Sequence, residues 1–261
     1  MTRILVTGGT GVLGRQLVTK LSQAGYAVRV MSRRSQPATR RPGVEWAQAD
    51  LATGQGLVEA VSGVPVILHA ATSPFKRTRQ IDVDGTDRIL EQSRSAGVSH
   101  FIYISIVGIE RIPFPYYRHK LAAEAVVTGA GVPWSILRAT QFHDLLGGFL
   151  QPLARLPFGF LPTDFQFQPI DASEVADRLV ECVAAGPSGR LTDMGGPEVH
   201  RLGDLARVWL AARGLKRPII RLPIPGKLGH AFRNGYVTCP QHRQGKLTWT
   251  EWVQRKYGVN R

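Results

Sequence analysis

The segment TGGTGVLG, residues 7–14, constrains this chain more than any other. It follows a short apolar run at 3–7 and precedes Leu13, Leu17, Val18 and Leu21, which recur at helical spacing. The glycines therefore stand where a strand turns into a helix. Gly8, Gly11 and Gly14 fall three residues apart. In such a turn the first glycine permits a sharp change of direction, the second lets backbone approach a pyrophosphate, and the third lets the helix pack closely. The helix N-terminus then faces the phosphates. This makes Gly8, Thr10, Gly11, Val12, Leu13 and Gly14 candidate dinucleotide-binding residues.

The rest of the chain repeats the same alternation. Apolar runs at 27–31, 44–48, 66–70, 101–105 and 134–138 read as strands, and helical patterns at 83–96 and 116–128 precede the last two. Strand and helix in alternation predict an α/β fold, a Rossmann-type doubly wound parallel sheet. Beyond residue 138 the pattern loosens into an apolar segment that reads as a loop. A helix is expected over 171–185, with Asp171 and Glu174 as a capping pair, then a strand at 191–194 and a helix at 202–213. A Pro-rich stretch follows, and a last helix over 249–256 is marked by Thr248 and Glu251 as a capping box. The expected organisation is one NAD(P)-binding unit over 1–261, with 142–170 and 196–261 forming a small C-terminal substrate-side lobe.

Charge refines the cofactor. Where the second strand ends, a site built for NAD would present a carboxylate to the ribose hydroxyls, but Ser32, Arg33 and Arg34 stand there. A guanidinium suits a 2′-phosphate, so NADP(H) is expected, with NAD(H) the lesser fit. The chain carries 33 Lys and Arg against 19 Asp and Glu, and residues 201–261 alone hold 13 basic and 2 acidic residues. That excess predicts attraction to anions, or serves only solubility.

The chain resembles an atypical or extended short-chain dehydrogenase/reductase, close to the NmrA-like NAD(P)-binding proteins. The resemblance rests on TGGTGVLG, Asp50 after the third strand, HAAT at 69–72, IDVDGT at 81–86, YYRHK at 116–120 and LRATQF at 137–142. It implies that Asp50, with Leu51 beside it, contacts adenine, and that Ala70, Ala71 and Thr72 line the nicotinamide ribose. It further implies that Ala139 and Thr140 pass beneath the nicotinamide. Tyr116 and Lys120 are four apart and share a helix face. In the family's chemistry such a tyrosine moves the substrate proton, while the lysine lowers its pKa and holds the ribose. Ser105 takes the carbonyl-orienting place, although the family's serine stands further on, where this chain has Ile106 and Val107. Tyr117 is the alternative phenol.

Two function classes follow. One is an NADPH-dependent oxidoreductase reducing a carbonyl or activated double bond of a small molecule. The other is a non-catalytic NADP(H)-sensing regulator or assembly factor. The apolar residues 142–167 either line a pocket for an apolar or aromatic substrate or form a packing or dimer surface. A nucleic-acid or membrane role for the basic end is weaker, since Trp249 and Trp252 fit helix packing better than base stacking. Asp82 and Asp84 lack further clustered ligands, so no metal is expected, and His119 is expected to face solvent. Arg155 and several Gly and Pro break residues 145–162, too short an apolar run to span a membrane. Cys182 and Cys239 show no ligand or disulfide spacing, and no export signal opens the chain, so a cytoplasmic setting is expected.

Overall fold

In a computed structural model, residues 1–36 and 42–258 are described; residues 259–261 of the expected C-terminal lobe lie outside them. The chain divides into two compact units, one of residues 1–105, 115–137 and 176–191, the other of residues 106–114, 138–175 and 192–261.

The first unit is built on a seven-stranded sheet. Its strands are β1 (Arg3–Thr7), β2 (Ala27–Ser32), β3 (Val44–Gln48), β4 (Val66–His69), β5 (His100–Ile106), β6 (Trp134–Ala139) and a two-residue edge at Gly189–Arg190. Their spatial order is β3-β2-β1-β4-β5-β6 and then the short edge. The pairs of β1 with β2 and β4, of β2 with β3 and of β4 with β5 are all parallel. The order reverses at β1, and the crevice at such a switch point is where doubly wound sheets bind ligands. Helices α1 (Val12–Gln23), α2 (Leu57–Val61), α3 (Asp84–Ser95) and α4 (Pro115–Gly129) connect the strands. Because both sheet faces are covered, the strands read as unbroken apolar runs: Ile4, Leu5, Val6, Ile67 and Leu68 are all buried.

The second unit holds α5 (His143–Leu150), a 3-10 turn at Gln151–Ala154, β7 (Gly159–Leu161) and β8 (Gln166–Phe167). Helix α6 (Ala172–Ala185) begins in it and continues into the first unit, whose edge strand Gly189–Arg190 is β9. After β9 the second unit resumes with β10 (His200–Arg201), α7 (Leu202–Ala212), β11 (Ile219–Arg221), α8 (Gly226–Arg233) and α9 (Trp249–Tyr257). Its core packs Leu146, Leu150, Leu205, Trp209, Trp249 and Trp252.

Several sequence expectations are corrected here. Residues 145–162 are not a loop, since α5, the 3-10 turn and β7 occupy most of them. Leu146 and Leu150 point into the core while Leu145 and Phe149 are exposed, so apolar residues on every side hide the helical period. Gly147 adds a helix-breaking signal, yet a side chain there would meet the Trp252 ring at 2.8 Å. Asp171 does accept from the Ser173 N–H at 2.8 Å, but Glu174 does not complete a capping pair; its Oε1 accepts from the Lys246 and Leu247 N–H groups. The expected strand at 191–194 is β9, two residues earlier, with only an isolated bridge from Ala139 to Met194 beyond it. The Pro-rich stretch contains β11 and α8. His119 is half-buried rather than solvated, with its Nδ1 enclosed. The capping box at Thr248 and Glu251 forms as read.

Candidate cofactor and proton-transfer site

The glycine turn joins β1 to α1. Gly8 has φ +66°, and a Cβ there would lie 2.7 Å from the Ala70 carbonyl oxygen, so both backbone conformation and space demand glycine. At Gly14 a Cβ would stand 2.1 Å from the Gly8 carbonyl oxygen, which is how closely the helix sits on the turn. Gly11 is different. Its φ is −75° and an added Cβ would approach only the Gly8 oxygen, at 3.2 Å, so the fold itself tolerates a small side chain. Among the described residues no side chain caps α1. The first-turn N–H groups of Val12 and Leu13 therefore have no partner within the helix and are available to an anion. Thr10 lies exposed on the turn, its carbonyl accepting from Arg15 at 2.7 Å.

At the end of β2, the side chains of Arg33 and Arg34 are exposed and Ser32 Oγ accepts from the Arg34 N–H at 3.1 Å. Asp50 forms a tight turn, accepting from the Ala52 N–H at 2.9 Å, and the buried Leu51 offers its carbonyl to Arg88. Ala70 and Ala71 follow β4; the Ala71 N–H donates to Thr7 Oγ1 at 3.1 Å.

Beside them is a linked set of hydroxyls. Thr72 Oγ1 donates to the buried Asp82 carboxylate at 2.5 Å and lies 2.9 Å from the Tyr116 hydroxyl. A threonine hydroxyl has one proton. With that proton given to Asp82, Tyr116 is the donor to Thr72. The second Asp82 oxygen accepts from the Ser73 N–H at 2.9 Å, so the carboxylate is held from both sides.

Lys120, one turn after Tyr116 on α4, is buried; its Nζ donates to the Ile104 carbonyl at 2.9 Å and stands 4.1 Å above the Tyr103 ring. Burial pulls its pKa down to about 8, against the opposing pull of Asp82 and Glu124. Tyr116 departs from expectation. Burial raises its phenol above the ordinary value, with Asp82 and Tyr117 adding to the rise, and only the Thr72 bond lowers it. Lys120, whose ammonium donates to the Ile104 carbonyl, is not among the groups that lower it. Tyr117 is buried and pushed up to about 12. Ser105 is buried, and its hydroxyl has no hydrogen-bond partner among the described residues.

His69 is structural. Its Nδ1 lies 3.0 Å from Thr7 Oγ1 and its Nε2 3.1 Å from Thr86 Oγ1, and Thr86 donates its own proton to the Asp82 carbonyl. The ring is thus clamped as the neutral Nε2–H tautomer, and burial draws its pKa to about 3. In the second unit, Ala139 accepts at its carbonyl from the Val107 N–H, and Thr140 Oγ1 accepts from the Gly196 N–H at 3.3 Å. Among the described residues no group of three or more His, Cys, Asp or Glu converges to hold a metal ion. Nor is any helix of those residues long and apolar enough to cross a membrane.

Residues 8–185, which hold the glycine turn and the Tyr116–Thr72–Asp82 chain, match the NAD(P)H-binding family model. The chain belongs to the NAD(P)H-binding family. Among curated relatives of this family member, a ceramide reductase of Caulobacter vibrioides is 31% identical, covering 86% of this chain and 75% of that protein. A 3-beta-hydroxysteroid dehydrogenase of Mycolicibacterium neoaurum is 24% identical, over 98% and 78%. A photosystem II assembly factor of Trieres chinensis is 27% identical over 54% of this chain and only 46% of its own length. In fold, the chain is similar to a nucleoside-diphosphate-sugar epimerase of Staphylococcus aureus, with a TM-score of 0.78 at 17% identity over 97% and 100% of the two chains. A short-chain dehydrogenase/reductase superfamily protein from Agrobacterium tumefaciens, with bound NAD, gives 0.71 at 21% identity, over 97% and 95%.

The role of Asp82 was missed in the sequence. In the sequence IDVDGT contributes only to the resemblance, and Asp82 only to the absence of a metal cluster; the carboxylate is buried in the π-helical turn Arg79–Val83 that precedes α3.

Proposed function

We propose that this protein is an NADPH-dependent reductase of a carbonyl or activated double bond on a small apolar substrate, with Tyr116 as proton donor. The observation that carries this reading is the chain from Tyr116 through Thr72 to Asp82. The Thr72 proton has two acceptors within reach, the Asp82 carboxylate and the Tyr116 oxygen. While Tyr116 is protonated, Thr72 serves Asp82. Once Tyr116 has given its proton to substrate, Thr72 turns its hydrogen to the phenolate oxygen and relieves a charge that burial otherwise disfavours. Lys120 orients the ribose from the same helix face.

The glycine turn fits a dinucleotide: Gly8 and Gly14 are fully packed, whereas Gly11 leaves room above the open N-terminus of α1. When bound, NAD(P)H supplies the hydride. Arg33 and Arg34 would hold the 2′-phosphate, Asp50 and Leu51 would meet adenine, and Ala70 to Thr72, Ala139 and Thr140 are the residues proposed for the nicotinamide end. The support for an apolar substrate is the character of two relatives, one named a ceramide reductase and one a steroid dehydrogenase. The substrate-side lobe is assigned to the second unit, which contains both 142–170 and 196–258.

A second reading, a non-catalytic NADP(H) sensor or assembly factor, draws on Ser105, whose enclosed hydroxyl is ill placed to meet a carbonyl, and on the relative named as an assembly factor. Two measurements test the proposal. Calorimetric titration is expected to show tighter binding of NADPH than NADH, with the preference lost in the Arg33→Ala/Arg34→Ala double variant; equal affinities in the unaltered protein contradict it. A screen of apolar ketones, aldehydes and enones is expected to reveal NADPH consumption, and failure of a broad screen alongside tight NADPH binding favours the sensor.

A further inference from the structure

Two short strands of the second unit, β7 and β11, pair in parallel, with Ile220 beside Phe160. Paired residues of neighbouring strands share a face, so Phe160 and Ile220 lie together, with the exposed Phe158 just before β7 and Leu222 just after β11. That face is the outer one. Phe160 is 56% and Ile220 44% exposed, whereas Gly159 and Leu161, which alternate with Phe160 on β7, are buried. The rings of Phe158 and Phe160 meet edge to face at 5.5 Å, making the patch continuous. Among the described residues, seven of the twelve large exposed apolar side chains fall within 145–160 and 220–222. Such a concentration marks an interaction surface rather than scattered surface apolarity.

The sequence around both strands is short of acidic residues, and Asp164, the acid nearest β7 in sequence, is paired with Arg221 of β11 at 2.7 Å. No Asp or Glu occurs between Asp144 and Asp164, or between Asp204 and Glu251. Arg155 and the lysines Lys216 and Lys227, all exposed, flank the two strands in sequence. A second copy docking on this face would bring these cations against themselves. A surface that is both anionic and apolar beneath its charge satisfies both halves of the patch, as an acidic lipid bilayer does.

We infer that the outer face of the β7–β11 ribbon seats the protein on an anionic bilayer, with the two phenylalanines, Ile220 and Leu222 entering the headgroup region and the flanking cations meeting lipid phosphates. The inference concerns where the protein works and does not depend on the proposed reaction.

The test is flotation of the full chain with vesicles of phosphatidylcholine alone and of phosphatidylcholine mixed with phosphatidylglycerol. Expected is co-flotation with the mixed vesicles, weakened by salt and weaker with phosphatidylcholine alone. Phe160→Ser/Ile220→Ser is expected to lower partitioning by more than about tenfold. Arg155→Glu/Lys216→Glu, which leaves the ribbon intact, is expected to abolish the preference for the acidic lipid. Circular dichroism confirms that each variant is folded. Absence of vesicle binding at low salt overturns the inference, as does binding unaltered by both variants. So does light scattering that shows a dimer dissolved by the ribbon substitution without any vesicle binding, because the face is then a contact between copies.

Discussion

At the scale of single residues, the account turns on which atoms have no alternative. Thr72 is placed to answer the charge left on Tyr116, so Thr72→Val is expected to lower kcat by about 10-fold to 100-fold, within the range of general acid catalysis. NADPH affinity should hardly change, and Thr72→Ser should restore turnover; steady-state kinetics with calorimetry checks this. The glycines separate by the same logic. Gly14→Ala places a Cβ 2.1 Å from the Gly8 oxygen and is expected to destabilise the fold by about 1–3 kcal/mol or more in chemical denaturation. Gly11→Ala meets that oxygen at 3.2 Å and is expected to leave stability nearly unchanged while weakening NADPH binding. Lys120, drawn down to about 8 by burial, is charged below that pH and neutral above it. The free protein's kcat/KM is therefore expected to fall as pH rises through about 8, with the alkaline limb displaced by Lys120→Arg.

At the scale of elements, β4 and β5 carry buried histidines whose pKa values are depressed to about 3 for His69 and about 4 for His100. The unfolded chain binds protons at these sites near pH 6.5, while the folded protein resists them. Stability is thus expected to be fully expressed above about 6.5 and to decline as pH falls toward 3, visible as a falling Tm. In His100→Gln, whose side chain can still bond Ser135, the decline should be shallower. These strands were legible in the sequence because a sheet covered on both faces needs unbroken apolar runs, and TGGTGVLG fixed where the first one ends. Helix α5 was not legible, since exposed Leu145 and Phe149 erase its period and Gly147 owes its presence to Trp252, more than 100 residues away in sequence. The candidate site was half legible. The spacing of Tyr116 and Lys120 puts them on one helix face, but the bond to Thr72 joins residues 44 apart, and no local pattern encodes it.

At the scale of the whole molecule, the NAD(P)H-binding family model matches residues 8–185, which take in most of the first unit and residues 106–114 and 138–175 of the second. The central claim is that the chain performs reduction, and the Tyr116 hydroxyl is the atom on which that claim depends. Tyr116→Phe keeps the ring and removes only the group bonded to Thr72. The decisive measurement compares NADPH oxidation by the unaltered protein and by this variant on a carbonyl substrate found by screening, with NADPH affinity measured in parallel. The account predicts a loss of turnover of about 100-fold to 10,000-fold with affinity preserved. Full turnover in the Phe variant would contradict it.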